Sequence, residues 1–166
     1  IKMETLQAIK SRRSIRKFKS NPIPKETILK LLDAARFAPT ARNVQPWEFI
    51  IVTDSKIRAT IASLSANGPF IKDAPVCILI ISKDTKYYLE DGCAATTNIL
   101  LAAADLGLAA CWVAGDKKPY CEEVKKLLCA SSEFKLISLI PLGYAQSKPD
   151  APSKRQLKEL LRWERF

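Results

Sequence analysis

At 166 residues and 18.5 kDa the chain makes one domain by length, and 48% hydrophobic with 27% charged residues excludes a disordered or low-complexity protein. A net charge of +10 would suit nucleic acid, but the cations are spread over several expected helices without an aromatic-basic RNA-binding signature or a helix-turn-helix pattern, which excludes that partner. Histidine is absent and five cysteines form no Cys-x-x-Cys pair, so zinc, any other metal site and His-based nucleophilic triads are not expected.

Leu6, Ile9 and Lys10 belong to an opening helix that ends near Ser11-Arg12-Arg13-Ser14-Ile15-Arg16-Lys17-Phe18. This cluster packs four cations and two hydroxyls into seven residues. Arg offers a planar fork of donors and Ser a compact donor beside it, a set that suits a dianionic phosphate. Pro22 and Pro24 precede Ile28, Leu31, Leu32 and Ala35, whose spacing gives a second helix stopped by the Pro39 loop. Trp47 to Thr53 reads as a strand, Asp54 caps a helix over Ser55 to Leu64, Asn67-Gly68-Pro69 is a turn, and Pro75 to Ser82 is a nearly all-apolar central strand.

Asp91 or Gly92 starts the next helix, whose interior Cys93 to Ala104 is rich in small residues and suited to close packing. Gly107 ends it, and Ala109 to Val113 forms a strand. Tyr120 to Leu128 is a further helix and Lys135 to Leu142 a further strand. The window from Ala94 to Val113 contains Asn98 and Asp105 and falls short of about 20 uninterrupted apolar residues, so no membrane span is expected. No continuous apolar stretch follows Ile1-Lys2-Met3-Glu4, so the expectation is a cytoplasmic chain without a secretory signal, its odd thiols reduced. Five helices interleaved with four strands give an α+β or α/β layered domain spanning 1–166, not a repeat or bundle.

The Arg cluster is followed by Ala38-Pro39-Thr40-Ala41-Arg42-Asn43-Val44-Gln45-Pro46-Trp47, then Ala74-Pro75 before an apolar strand, Gly107-Leu108 before Cys111-Trp112-Val113-Ala114-Gly115, and Ile140-Pro141-Leu142-Gly143-Tyr144. In this order, from about Thr5 to Arg155, the set resembles the nitroreductase family of flavin mononucleotide (FMN) enzymes. The resemblance implies a layered fold with a central mixed β-sheet flanked by helices, in a homodimer with FMN at the subunit interface. It assigns Arg12, Arg13, Ser14 and Arg16 to FMN, with Arg12 and Ser14 on the phosphate and Arg16 at the pyrimidine edge of the ring. Pro39, Thr40, Ala41 and Asn43 match the loop that contacts FMN from the other subunit. Trp112, Val113, Ala114 and Gly115 match the segment lining the ring, Asn67 a residue near it, and Arg155 a late basic residue that closes on the phosphate. The plainer readings are that Trp47 and Trp112 are core anchors, that Thr40 caps a turn and that Lys154 is solvated.

The implied activity is ping-pong hydride transfer from NADH or NADPH, a transient reductant, through flavin N5 to a small acceptor such as a nitroaromatic or quinone. The five glycines make no Gly-x-Gly-x-x-Gly turn, so the nicotinamide has no dinucleotide fold of its own. No side chain is required as a nucleophile. The alternatives are a flavoprotein reductase with another acceptor, an enone or a protein redox partner, and a non-catalytic basic binding protein. Two departures from the family bear on substrate: the chain lacks the helical insertion of larger members, and Ala114 stands at a position acidic in many of them. Beyond Arg155, Leu157, Leu160, Leu161 and Trp163 form an apolar stripe at helical spacing, expected to pack on the partner, with docking on its own subunit as the alternative.

Overall fold

The computed structural model describes residues 4–166, so Ile1, Lys2 and Met3 of the expected leaderless N-terminus lie outside the described residues. Period-2 alternation on strand β3, Val76–Lys83, organises the interior. Val76, Ile78 and Ile80 enter one apolar layer, and Cys77, Leu79 and Ile81 the other. Helices α2 (Lys25–Arg36) and α4 (Tyr88–Asp105) cover the first face; α3 (Ser55–Leu64) and α5 (Cys121–Leu127) cover the second. Asp54 caps α3 as expected, its carboxylate accepting from the Ile57 amide at 2.9 Å.

Strand β2, Trp47–Val52, pairs with one edge of β3, and β6, Phe134–Ala145, with the other. The far edge of β6 takes three two-residue strands in succession: β5 (Val113–Ala114), β4 (Ala109–Ala110) and β1 (Phe18–Lys19). In place of the mixed sheet expected, every ladder between these strands is antiparallel; the parallel component is the isolated bridge between Ser14 and Ala110.

The strand expected over Ala109 to Val113 is split in two for a chemical reason. The Ala110–Leu142 and Val113–Leu139 pairs share one register that sets Cys111 opposite Pro141. Cys111 N–H reaches the Pro141 carbonyl at 3.3 Å, but proline has no N–H to return a bond. Helix α4 starts at Tyr88, a turn before Asp91, and puts Glu90 and Asp91 in its first turn, where the helix dipole favours anions. The tail is not the continuous helix its spacing predicted: only Leu157–Leu160 is helical, labelled α6, and Leu161 is already extended. Nor does it dock on its own subunit, since Leu157 is 70% and Trp163 79% exposed.

Two contacts seat α4 on β6. Gly92 lies so close that a Cβ there would stand 2.8 Å from Ile137 side-chain atoms. Four residues on, the Thr96 hydroxyl donates to the Gly92 carbonyl at 2.8 Å and shares a second 2.8 Å hydrogen bond with the Ser138 hydroxyl, both side chains fully buried. Thr96→Val strands the Ser138 hydroxyl and should destabilise the protein by about 1–3 kcal/mol in urea unfolding. The double variant Thr96→Val/Ser138→Ala removes both polar groups and should recover most of that loss.

Candidate functional site

Helix α1, Thr5–Ser11, ends where Arg12 turns extended, with its amide still bonded to the Ala8 carbonyl at 3.0 Å. Residues 12–16 then run beside β4: Ile15 N–H donates to the Ala110 carbonyl at 3.0 Å, and Ile15 and Phe18 are buried against Ala74 and Ala109. These apolar anchors fix the segment so that Arg12, Arg13, Ser14 and Arg16 line one cleft of about 640 Å³, whose opposite wall is Pro149 to Pro152 with Lys154.

The cleft is strongly basic. Lys10 also lines it, and Asp150 is the one carboxylate of the lining. The salt bridges among the described residues engage none of Arg12, Arg13 and Arg16. Arg13 holds the end of α1, one terminal nitrogen donating to the Lys10 and Arg12 carbonyls at 2.8 Å each, while its Nε is buried without a partner. The Arg16 guanidinium lies 5.7 Å from the centre of the Phe70 ring.

Phe70 and Asn67 belong to the turn that leads into β3, and this turn meets β5, which carries Val113 and Ala114 of the segment matched to the ring. A Cβ on Gly68 would stand 3.3 Å from Val113 Cγ1. Gly115 is pressed against β6, its added Cβ 2.6 Å from the Leu136 carbonyl oxygen, so only glycine fits there. The Tyr120 hydroxyl donates to the Ala114 carbonyl, and Asp116 accepts from Tyr88 at 3.1 Å. Trp112 is half-buried against the core, as the plainer reading held, and Trp47 is buried in it.

The second expected group lies elsewhere. Of Pro39, Thr40, Ala41 and Asn43, none lines the Arg cleft among the described residues, and neither do Asn67, Trp112, Val113, Ala114 and Gly115; Ala41 borders a separate cavity with Arg42, Val44, Thr85, Lys86, Tyr87 and Asp91. Arg155 is not brought to the cleft either. It pairs with Glu159 at 3.5 Å, and Lys154, read as solvated, takes its place in the lining. Sequence reasoning missed Asp91 and Phe70. An acidic residue opening a helix of small apolar residues was the signal for the first; a lone aromatic in a turn gave none for the second.

Cys111 is buried beside the cleft. Burial raises its thiol pKa above the ordinary value, opposed by Arg16, Ser14 and Arg12. Cys77, fully buried in β3, is pushed up to about 12.

A protein-family model described as Nitroreductase family matches residues 9–69 and 63–144. The chain belongs to the nitroreductase family. It is 38% identical over 154 residues to an inferred NADH dehydrogenase/NAD(P)H nitroreductase of Methanothermobacter thermautotrophicus, covering 89% of this chain and 81% of that one. The crystal structure of a protein described in the same terms from Parabacteroides distasonis superposes with a TM-score of 0.92 at 33% identity, covering 98% of each chain. A structure of iodotyrosine deiodinase bound to FMN and 3-iodo-L-tyrosine superposes with a TM-score of 0.85 at 26% identity, covering 98% of this chain and 100% of that one.

Thiol reactivity gives a check on the site's chemistry. In labelling at pH 8 the exposed Cys129 should react first, while Cys77 and Cys111 should stay unmodified until the protein unfolds. Because the folded pKa of Cys77 lies above its unfolded value of 9.0, its contribution to stability is complete below pH 9 and falls away as pH rises toward 12. Cys77→Ala should flatten the loss of stability over that alkaline range.

Proposed function

We propose that the protein is an FMN-dependent NAD(P)H oxidoreductase that passes hydride from NADH or NADPH to a small acceptor such as a nitroaromatic or quinone, the two taking turns at one site. The observation that carries this reading is the Arg cleft: three guanidinium groups outside any salt bridge among the described residues, the Nε of Arg13 buried without a partner, and a serine hydroxyl form a donor set suited to a dianionic phosphate. FMN, when bound, supplies a two-electron carrier that accepts and returns hydride at N5.

Arg12 and Ser14 hold the phosphate, with Arg13 behind them. Arg16, steadied over Phe70, sets a fixed positive charge at the pyrimidine edge, where reduction leaves negative charge. Trp112, Val113, Ala114 and Gly115 line the ring from the edge of β6, and Asn67 stands near it. The free cysteines suit a cytoplasmic setting. The likeness to the FMN-bound deiodinase favours a second reading of the acceptor alone, an iodinated phenol.

The assembly is a homodimer with shared sites. The support is the placement just described: the Pro39–Asn43 loop does not line the Arg cleft of its own chain, and Ala41 borders another cavity. The tail adds to it, since Leu157, Leu160, Leu161 and Trp163 are exposed on the protomer.

Purified protein should be yellow with a flavin spectrum that bleaches under anaerobic NADH or NADPH; a colourless protein that takes up no FMN overturns the reading. Arg12→Ala should weaken FMN binding about ten- to a hundredfold with the fold intact. Arg16→Gln should lower the flavin potential and slow its reduction more than it weakens retention. For the dimer, Arg12→Ala and Asn43→Ala subunits refolded together should regain FMN binding that neither regains alone, because half the sites of a heterodimer are intact. No recovery on mixing, with a monomer in sedimentation equilibrium, defeats the shared site.

A further inference from the structure

The segment between Ala38 and Pro46 is held by little packing: Pro39 and Arg42 to Gln45 are exposed, and Thr40 and Ala41 only half-buried. It is also strained. Arg42, Asn43 and Gln45 have φ of 55°, 56° and 52°, a region that L side chains seldom adopt. Its internal bonds, Asn43 N–H to the Thr40 carbonyl and Val44 N–H to the Ala41 carbonyl, close one turn and reach no other element.

The outside restraint is Asp91, whose side chain is all but fully buried in the first turn of α4. Both its oxygens go to this loop: Oδ2 accepts from the Thr40 hydroxyl at 2.8 Å and Oδ1 from the Ala41 amide at 3.2 Å. The Thr40 hydroxyl in turn accepts from the Gln45 amide at 3.1 Å. One carboxylate therefore ties the two ends of the strained turn through a chain of aligned donors, Gln45 N–H to Thr40 O–H to Asp91, in which the charge strengthens each link. Asp91 is itself fixed, because Gly92 beside it packs against Ile137 of β6.

We propose that Asp91 is a positioning residue of the flavin site: it touches neither cofactor nor substrate, and it holds the Thr40–Gln45 loop in the shape that meets the ring of the other subunit. This rests on the FMN reading above. It couples the two halves of each site to one ruler, since β6 seats α4, and hence the loop, and also carries β5 with its ring-lining residues.

Asp91→Asn keeps the size and shape of the side chain but leaves one acceptor where two are used: in one amide orientation its NH₂ faces the Thr40 hydroxyl, in the other the Ala41 N–H, and that donor loses its partner. Amide exchange at Ala41 and Gln45 in the flavin-free variant should accelerate about tenfold or more while exchange in the sheet is unchanged. The FMN dissociation constant should rise about tenfold, with an altered visible flavin spectrum. Thr40→Val should reproduce both effects and Thr40→Ser, which restores the hydroxyl, should recover most of each; this pair carries the test if Asp91→Asn does not fold. Unchanged exchange at Ala41 and Gln45 overturns the proposal, and so does a loosened loop with FMN affinity and spectrum as in the wild type. Wild-type protein that takes up no FMN defeats the flavin reading and this proposal together, and the wild-type titration tells that outcome from a failure of Asp91 alone.

Discussion

Much of this structure depends on the register of β6. It is a 12-residue strand, long enough for its far edge to carry three short strands end to end, and that edge arranges the basic cleft. β1 and β4 fix the Arg cluster from below, through Phe18 and the Ile15–Ala110 bond, while β5 presents Val113 and Ala114. Two-residue strands have no stability of their own. They exist because β6 is held on its other side by β3 and on its face by α4, so the geometry of the cleft is inherited from the core.

Pro141 shows how this scaffold is tuned. Lacking an N–H, it opens the ladder between β4 and β5, where Cys111 and Trp112 leave regular pairing. A continuous strand would keep the edge paired through these residues. The gap lets the chain turn from Ala110, bonded to the Arg segment, to Val113 and Ala114 while keeping one register on both sides of the break.

The interior was legible in the sequence because burial leaves a trace in composition. The unbroken apolar run over 76–81, buried on both faces, and the small-residue run of α4 mark the central layers. The site was legible only in part. Arg12, Arg13, Ser14 and Arg16 sit together because they are neighbours in sequence on one anchored segment. Arg155 lies instead on an exposed tail, where an ion pair with Glu159 and a bond to its carbonyl set its direction in one chain. β1 was invisible for another reason: a two-residue strand inside a run of cations carries no pattern, and only Phe18 marks where it enters the core.

Charge and strain divide between the two halves of the proposed site. The cleft gathers guanidinium groups with little to neutralise them, a cost that a dianion removes on binding. The loop keeps three non-glycine residues in left-handed backbone, a cost met by a buried carboxylate. Both arrangements are poor choices for a protein selected for stability alone. The two groups line separate cavities of the chain. In the proposed two-fold dimer, each subunit would give its cleft to one flavin and its loop to the other, so that two complete sites would arise from one set of residues. Small adjustments of β6 then act on both arrangements at once, because the same strand seats the helix that restrains the loop and carries the edge strands beside the Arg cluster.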